Sequence, residues 1–296
     1  MVKSTSESLL SGISVLMQNV LYCNHKTSPM NQNLEDYAQY FLEVSSEQRL
    51  KIIQLLNQKA YRLSEIAKII DATKPEVHRN LERLENSGLI MKNSDGNFVL
   101  TTLGQIILGL APNFAFVIDN KKYFVDHTID SLPKKFISRF GELFESKLLT
   151  SYVDVLEYWK KIYQNSEKYI YNILYDVPYF DDFVKPIASK LSQGVKVKSI
   201  FYEKAIVSDS RSDTIKKLKK HIENGDIQRM MTKTISAAVV LNEKQSCLIF
   251  PNLDGKLDAG YAFVGESPEF HQWCHDYFNY SWYNSYPFVE QKLEKI

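Results

Sequence analysis

The chain is poor in glycine, with 11 in 296 residues, and none falls in a G-x-G-x-x-G or G-x-x-x-x-G-K-S/T pattern. Nucleotide-binding enzymes use such a turn to cradle phosphate on backbone N–H groups, so Rossmann methyltransferase and ATPase readings lose their central requirement. Cysteine is scarcer still. Cys23, Cys247 and Cys274 are odd in number and far apart, which argues against a disulfide framework and for a reducing, cytoplasmic compartment. His271, Cys274 and His275 have ligand-type side chains at helical spacing, but a structural zinc site wants four ligands and no second pair lies nearby. Neither a metal nor a cofactor is expected. No apolar run reaches membrane-spanning length, and the first residues, with Lys3 as their basic element, do not read as a signal peptide. Charge of one sign is missing as well: the formal net charge is +1, so no acidic or basic tail announces a partner.

What is present is ordinary globular composition, 44% hydrophobic and 24% charged, at a length that suggests two domains. The informative stretch is residues 46 to 104. Ser45 and Gln48 can form a capping box for a helix with Leu50, Ile53 and Leu56 on one face. A second helix from Ser64 places Ile66, Ala67 and Ile70 inward. Asp71 and Ala72 turn the chain, Thr73 caps a third helix, and Pro75 sits in its first turn, where a missing N–H breaks no bond. Val77, Leu81 and Leu84 then form one apolar stripe, opposite Glu76, Arg79 and Arg83 and flanked by Lys74 and His78. Gly88 supplies a left-handed stop, and LIMK and NFVL surround an Asp95-Gly96 hairpin turn.

This order resembles the winged helix-turn-helix of the ArsR-like superfamily, whose N-cap, V-x-R-x-L core and "LE-x-x-GLI" recur here. The resemblance implies that the third helix enters the major groove of double-stranded DNA and that the wing touches its backbone. Carried over position by position, it assigns DNA contact to Thr73, Lys74, Glu76, His78, Arg79 and Arg83, with Lys92, Asn93 and Asn97 on the wing. The alternative is a winged helix used for protein contact, as in the dimerisation domains of some methyltransferases. Residues 46 to 104 hold nine Lys and Arg against seven Asp and Glu, only mildly basic for a DNA-binding module.

Three regions are expected: an N-terminal helix and loop (1–33), the DNA-binding domain (34–111) and an α/β domain (112–296). In the first, Leu9, Ile13, Leu16 and Val20 have heptad spacing. A helix near 34–44 precedes the winged helix, and one with Leu103, Ile106, Ile107 and Leu110 closes it before Pro112. FAFVI and KKYFV read as short strands or loops. A helix from Pro133 carries Phe136, Phe140, Leu143 and Leu148, and another spans 151–164. YIYNILY, VKVKSIFY and SAAVVL read as strands separated by helices, giving a mainly parallel sheet covered on both faces. CLIF pairs back on SAAVVL, YAFV adds a strand, and a terminal helix starts at Pro268.

This layout, with "IDSLPKKFISRFGEL" after the winged helix, resembles archaeal regulators of the methanogenesis-regulatory-protein type, whose middle domain follows an ArsR-like head. TrmB-like regulators, related to them, carry a phospholipase-D-like α/β effector domain. That fold's reaction needs His-x-Lys, and none of the six histidines has a lysine two residues on, so no catalytic residues are assigned. The basic run at Lys216, Lys217, Lys219 and Lys220 reads as a solvated helix face. Tyr175, Tyr202 and Tyr261, near strand ends, are the candidate lining of a small-molecule effector site. The expectation is a cytoplasmic, homodimeric transcription regulator of archaeal type and not an enzyme. The other readings are a C-terminal hydrolase or transferase with the winged helix as scaffold, or a winged-helix adaptor of the transcription machinery.

Overall fold

The computed structural model describes residues 34–175, 181–207 and 211–295. The expected heptad helix of Leu9, Ile13, Leu16 and Val20, its following loop and Cys23 lie outside them. The chain divides between Leu108 and Gly109 into two compact units.

The first unit runs α1 (Leu34–Val44), α2 (Glu47–Gln58), α3 (Leu63–Ile69), α4 (Lys74–Asn86), then the strands β1 (Ile90–Lys92) and β2 (Phe98–Leu100). Ile52, Ile53, Leu56, Ile66, Val77, Leu81, Leu84 and Leu89 form its core. The helical periodicity is what brings them together. β1 and β2 pair antiparallel with Ile90 opposite Leu100, and Tyr61 bridges antiparallel to Phe98 on the other edge of β2. Glycine is required at position 104, where a Cβ would stand 2.2 Å from the Leu89 carbonyl oxygen. The expected capping box on α2 does not form. The N-cap is Ser46, Ser45 Oγ donates to the Leu42 carbonyl at 2.8 Å, and Gln48 accepts from Asn80 instead. Arg49, Ile52, Ile53 and Leu56 make the buried face, with Leu50 at its margin.

α5 (Thr102–Asp119) crosses the division, with Ile107 and Leu108 packed on the first core and Phe116 in the second. The sequence reading ends this helix before Pro112 and makes FAFVI and KKYFV strands or loops. Both are helical, the second as α6 (Lys121–Asp126). Pro112 costs one i→i−4 bond, yet Phe116 and Tyr123 reach the core only if the 3.6-residue period continues. By length and composition α5 could cross a membrane, with mean hydropathy 1.4 over 18 residues. Gly104 and Phe116 are nevertheless buried among protein side chains and backbone.

The second unit holds an eight-stranded sheet. Its strands are β3 (Lys147–Leu149), β4 (Tyr169–Leu174), β5 (Lys196–Tyr202), β7 (Ile227–Thr232), β8 (Ala238–Leu241), β9 (Ser246–Ile249), β10 (Ala262–Gly265) and β11 (Tyr286–Pro287), in the order β11-β7-β5-β4-β8-β9-β10-β3. A short separate pair joins β6 (Ile206–Val207) to β12 (Glu294–Lys295). Only β4, β5 and β7 run parallel to one another, and every other pairing in the large sheet is antiparallel. The sheet is therefore mixed, not mainly parallel. The cause lies after β7, where no crossover helix intervenes: the chain passes to the far side of β4, and β8, β9 and β10 follow as antiparallel neighbours. β7, IQRMMT, was not expected: Gln228 and Arg229 interrupt its apolar run, because it lies toward the sheet margin.

Helices cover both faces. On one, α6, α7 (Lys134–Ile137) and α11 (Pro268–Tyr283) pack Tyr123, Phe136, Phe270, Trp273 and Phe278 on Ile173, Ile200, Val239, Leu248 and Phe263. On the other, α8 (Tyr152–Asn165), α9 (Asp181–Ser192) and α10 (Arg211–Glu223) cover Ile170, Val197, Val240 and Cys247. The single helix expected from Pro133 to Leu148 is broken into α7, a 3-10 turn at Phe140–Leu143 and β3. Asn113 Oδ1 accepts from the Gly141 N–H at 2.8 Å, and a Cβ at Gly141 would meet Pro112 at 3.1 Å.

Candidate nucleic-acid interface

α4 is the element that the charged candidates share. Asp71 takes a left-handed turn with φ 53°, and Thr73 then caps the helix from extended backbone. The Glu76 carboxylate accepts from the Thr73 N–H at 2.9 Å and from its hydroxyl at 2.7 Å, while Thr73 Oγ1 accepts from the Glu76 N–H. These bonds, the hydroxyl's first, hold Glu76 below the usual carboxylate range. Both residues serve the helix start.

Val77, Leu81 and Leu84 are fully buried, while Lys74, His78, Arg79, Glu82 and Arg83 are exposed. Among the described residues Lys74 and Arg79 form no salt bridge. Arg83 does: Nε and Nη2 donate to the two oxygens of Glu43 at 3.0 and 2.8 Å. Glu43 raises the Arg83 pKa further, first through these hydrogen bonds and then by charge. Arg49 lies behind it, donating from Nε to the Glu43 carbonyl and from Nη2 to the Leu42 carbonyl, each at 2.6 Å. Burial, and then the Arg83 charge, lowers the Arg49 pKa.

The hairpin is shaped by the side chains that sequence assigns to it. Asn93 Oδ1 accepts from the N–H groups of Asp95 and Asn97, and Gly96 has φ 79°. Asn97 Oδ1 accepts from Arg62 Nε at 3.4 Å. Lys92 is exposed, with its ammonium 5.7 Å from the Phe98 ring. Arg62 is the basic residue that sequence reasoning missed. The signal for it is the neighbouring Tyr61, an apolar aromatic between helices that bridges to Phe98 on the outer edge of the hairpin.

The tyrosines assigned to an effector site do not converge. Tyr175, the residue after β4, and Tyr202, the last of β5, stack at 5.1 Å and 12°. Tyr261 precedes β10, and β8 and β9 stand between β10 and β4. At about 4.8 Å per strand that is on the order of 14 Å away. It lies instead 5.4 Å from His127 and 6.0 Å from Tyr123, centroid to centroid. His271 Nε2 lies 2.7 Å from the Asn242 carbonyl and so donates to it, and Cys274 is buried in the aromatic core. Burial raises the pKa of Cys247 to about 12. The KKLKK lysines are exposed on α10.

The family described as HVO_A0261 N-terminal domain matches residues 37–120. No curated protein matches the chain. Among solved structures it is similar to TrmBL2, an archaeal chromatin protein reported with a novel mode of DNA binding, at 10% identity and TM-score 0.38, over 86% of this chain and 99% of that one. It is also similar to NucT from Helicobacter pylori, at 15% identity and TM-score 0.37, and to the phospholipase D family member Nuc from Salmonella typhimurium, at 12% and 0.36. Each of these covers 49% of this chain and 99% of its own.

Proposed function

We propose that the chain is a DNA-binding transcriptional regulator of archaeal, ArsR-like type. In this reading α2 to α4 and the hairpin are a winged helix-turn-helix that reads double-stranded DNA as a homodimer. The observation that carries it is the division of α4: three fully buried aliphatic residues on one side, and Lys74, His78 and Arg79 exposed on the other. A helix so anchored presents cations at its N-terminal half, where a recognition helix meets base edges and phosphates. Lys92 and Arg62 extend the basic surface to the wing.

The homodimer rests on the part of α5 that belongs to the second unit, where Leu110, Phe114 and Ile118 repeat every four residues and are between 46% and 61% exposed. Such a seam is self-complementary between two copies. Asp119 is the one charged residue in α5, so two copies meet without like-charge repulsion along the stripe.

The second unit is assigned to sensing a small-molecule effector or supporting the dimer, with no catalytic role and no cofactor. Tyr175 and Tyr202 remain the effector candidates; Tyr261 would line a separate place. An effector would act only as far as it prefers one spacing of the paired α4 helices.

The test is recovery of genomic DNA fragments on the purified full chain, followed by a salt series on the recovered duplex. A linear fall of log affinity with log salt is expected, at about 0.9 per phosphate neutralised. Recovery of no duplex above background at low salt would remove the reading.

A further inference from the structure

Arg83 has the charge for a phosphate contact and stands on the exposed flank of α4, but its guanidinium is already engaged. The carboxylate that takes it, Glu43, has a side chain only 3% exposed, and both of its oxygens face Arg83, at 3.0 and 2.8 Å. Arg49, also buried, closes the other side, with Nε 3.6 Å from Glu43 Oε2 and its other donors on the last carbonyls of α1. A desolvated carboxylate held by a guanidinium fork does not release it cheaply, because the charge stays buried while a charged donor leaves it.

A second tie enters α4 three residues earlier. Asn80 Nδ2 donates to Gln48 Oε1 on α2 at 2.8 Å. Positions 80 and 83 share a flank of the helix. The aliphatic contacts of Val77, Leu81 and Leu84 decide which side of α4 turns inward, but apolar burial is non-directional and sets that rotation less finely than a hydrogen bond does. A fork of two parallel N–H···O bonds is directional.

Resting on the DNA-binding reading above, we infer that Glu43 and Arg83 are positioning residues: the buried Glu43 carboxylate fixes the rotation of α4, and so aims Lys74, His78 and Arg79, while Arg83 makes no contact with DNA. Sequence resemblance places Arg83 among the contacts. The geometry gives it a different task.

Four variants of the full chain, Arg83→Lys, Glu43→Gln, the two combined and Arg83→Ala, separate the two roles, each read as duplex affinity over a salt series. Arg83→Lys keeps a charge able to meet phosphate but loses the fork. Positioning predicts an affinity loss of about tenfold at fixed salt, with the salt slope unchanged. Glu43→Gln frees Arg83, and positioning predicts a loss of similar size. The double variant should lose no more than either single one. Should Glu43→Gln fail to fold, Arg83→Lys and the salt slope of Arg83→Ala decide together, since Arg83 is half exposed and its replacement buries nothing.

Affinity retained in Arg83→Lys, or raised in Glu43→Gln, would overturn the inference and return Arg83 to the DNA contacts. A slope that falls by about 1 in Arg83→Ala would do the same. Failure of the unaltered chain to bind any duplex would instead overturn the functional reading on which the inference rests.

Discussion

Glu76 folds back on Thr73, its carboxylate accepting from both the backbone N–H and the hydroxyl of that residue. Two groups that sequence resemblance offers to DNA are thus committed to the start of α4. Thr73→Ala should cost about 1 kcal/mol of unfolding free energy, the usual cost of losing an N-cap side chain. Urea unfolding of the two proteins measures this, and an unchanged midpoint would mean that the cap bonds are not made in solution.

Arg79 is the cation on α4 left for phosphate by this accounting, together with Lys74. Arg79→Ala should weaken duplex binding at every sequence and reduce the salt slope by about 1, while thermal stability stays within about 0.5 kcal/mol, as for other exposed sites. A stability loss with an unchanged slope would show that Arg79 is structural.

Leu110→Glu and Phe114→Glu place a charge in the α5 stripe at residues that are exposed in one chain. Each should convert a dimer to a monomer in sedimentation velocity without lowering the helical circular dichroism signal. An unaltered chain that sediments as a monomer at all concentrations would sink the proposed interface.

His275 gives the second unit a pH dependence. Its partial burial, then the neighbouring His271 and Lys198, hold its pKa below the usual 6.5. Asn279 Nδ2, a donor, lies 3.1 Å from His275 Nδ1, a contact that suits the neutral ring. The folded state therefore resists a proton that the unfolded chain accepts near its ordinary pKa. Stability is fully present above that value and falls as pH drops through it toward the lower folded one. His275→Gln should remove this component, so the urea midpoint of the variant should change less between pH about 7.5 and about 5.5. Equal changes in both proteins would contradict it.

Legibility in the sequence followed the range of the interactions. The α2 to α4 helices and the hairpin were readable because local rules govern them: Thr73 and Glu76 at cap spacing, Val77, Leu81 and Leu84 at helical spacing, and Asp95-Gly96 at the turn. The Arg83–Glu43 pair was not, since 40 residues separate the partners and nothing local marks Glu43 as buried. The same reason explains the tyrosines. Tyr175 and Tyr202 meet because β4 and β5 are neighbours in parallel register, whereas Tyr261 depends on a strand order that includes two hairpin returns. Pro112 misled for a different reason: a breaker rule that is local was outweighed by the core that Phe116 enters.

The large sheet ends on β3, three residues long, and on β11, two residues long with Pro287 as its second. A strand arriving from another molecule needs a row of free N–H and C=O groups to dock on, and a proline supplies no N–H. Neither margin offers a template of useful length, so the sheet is guarded against open-ended growth into fibres.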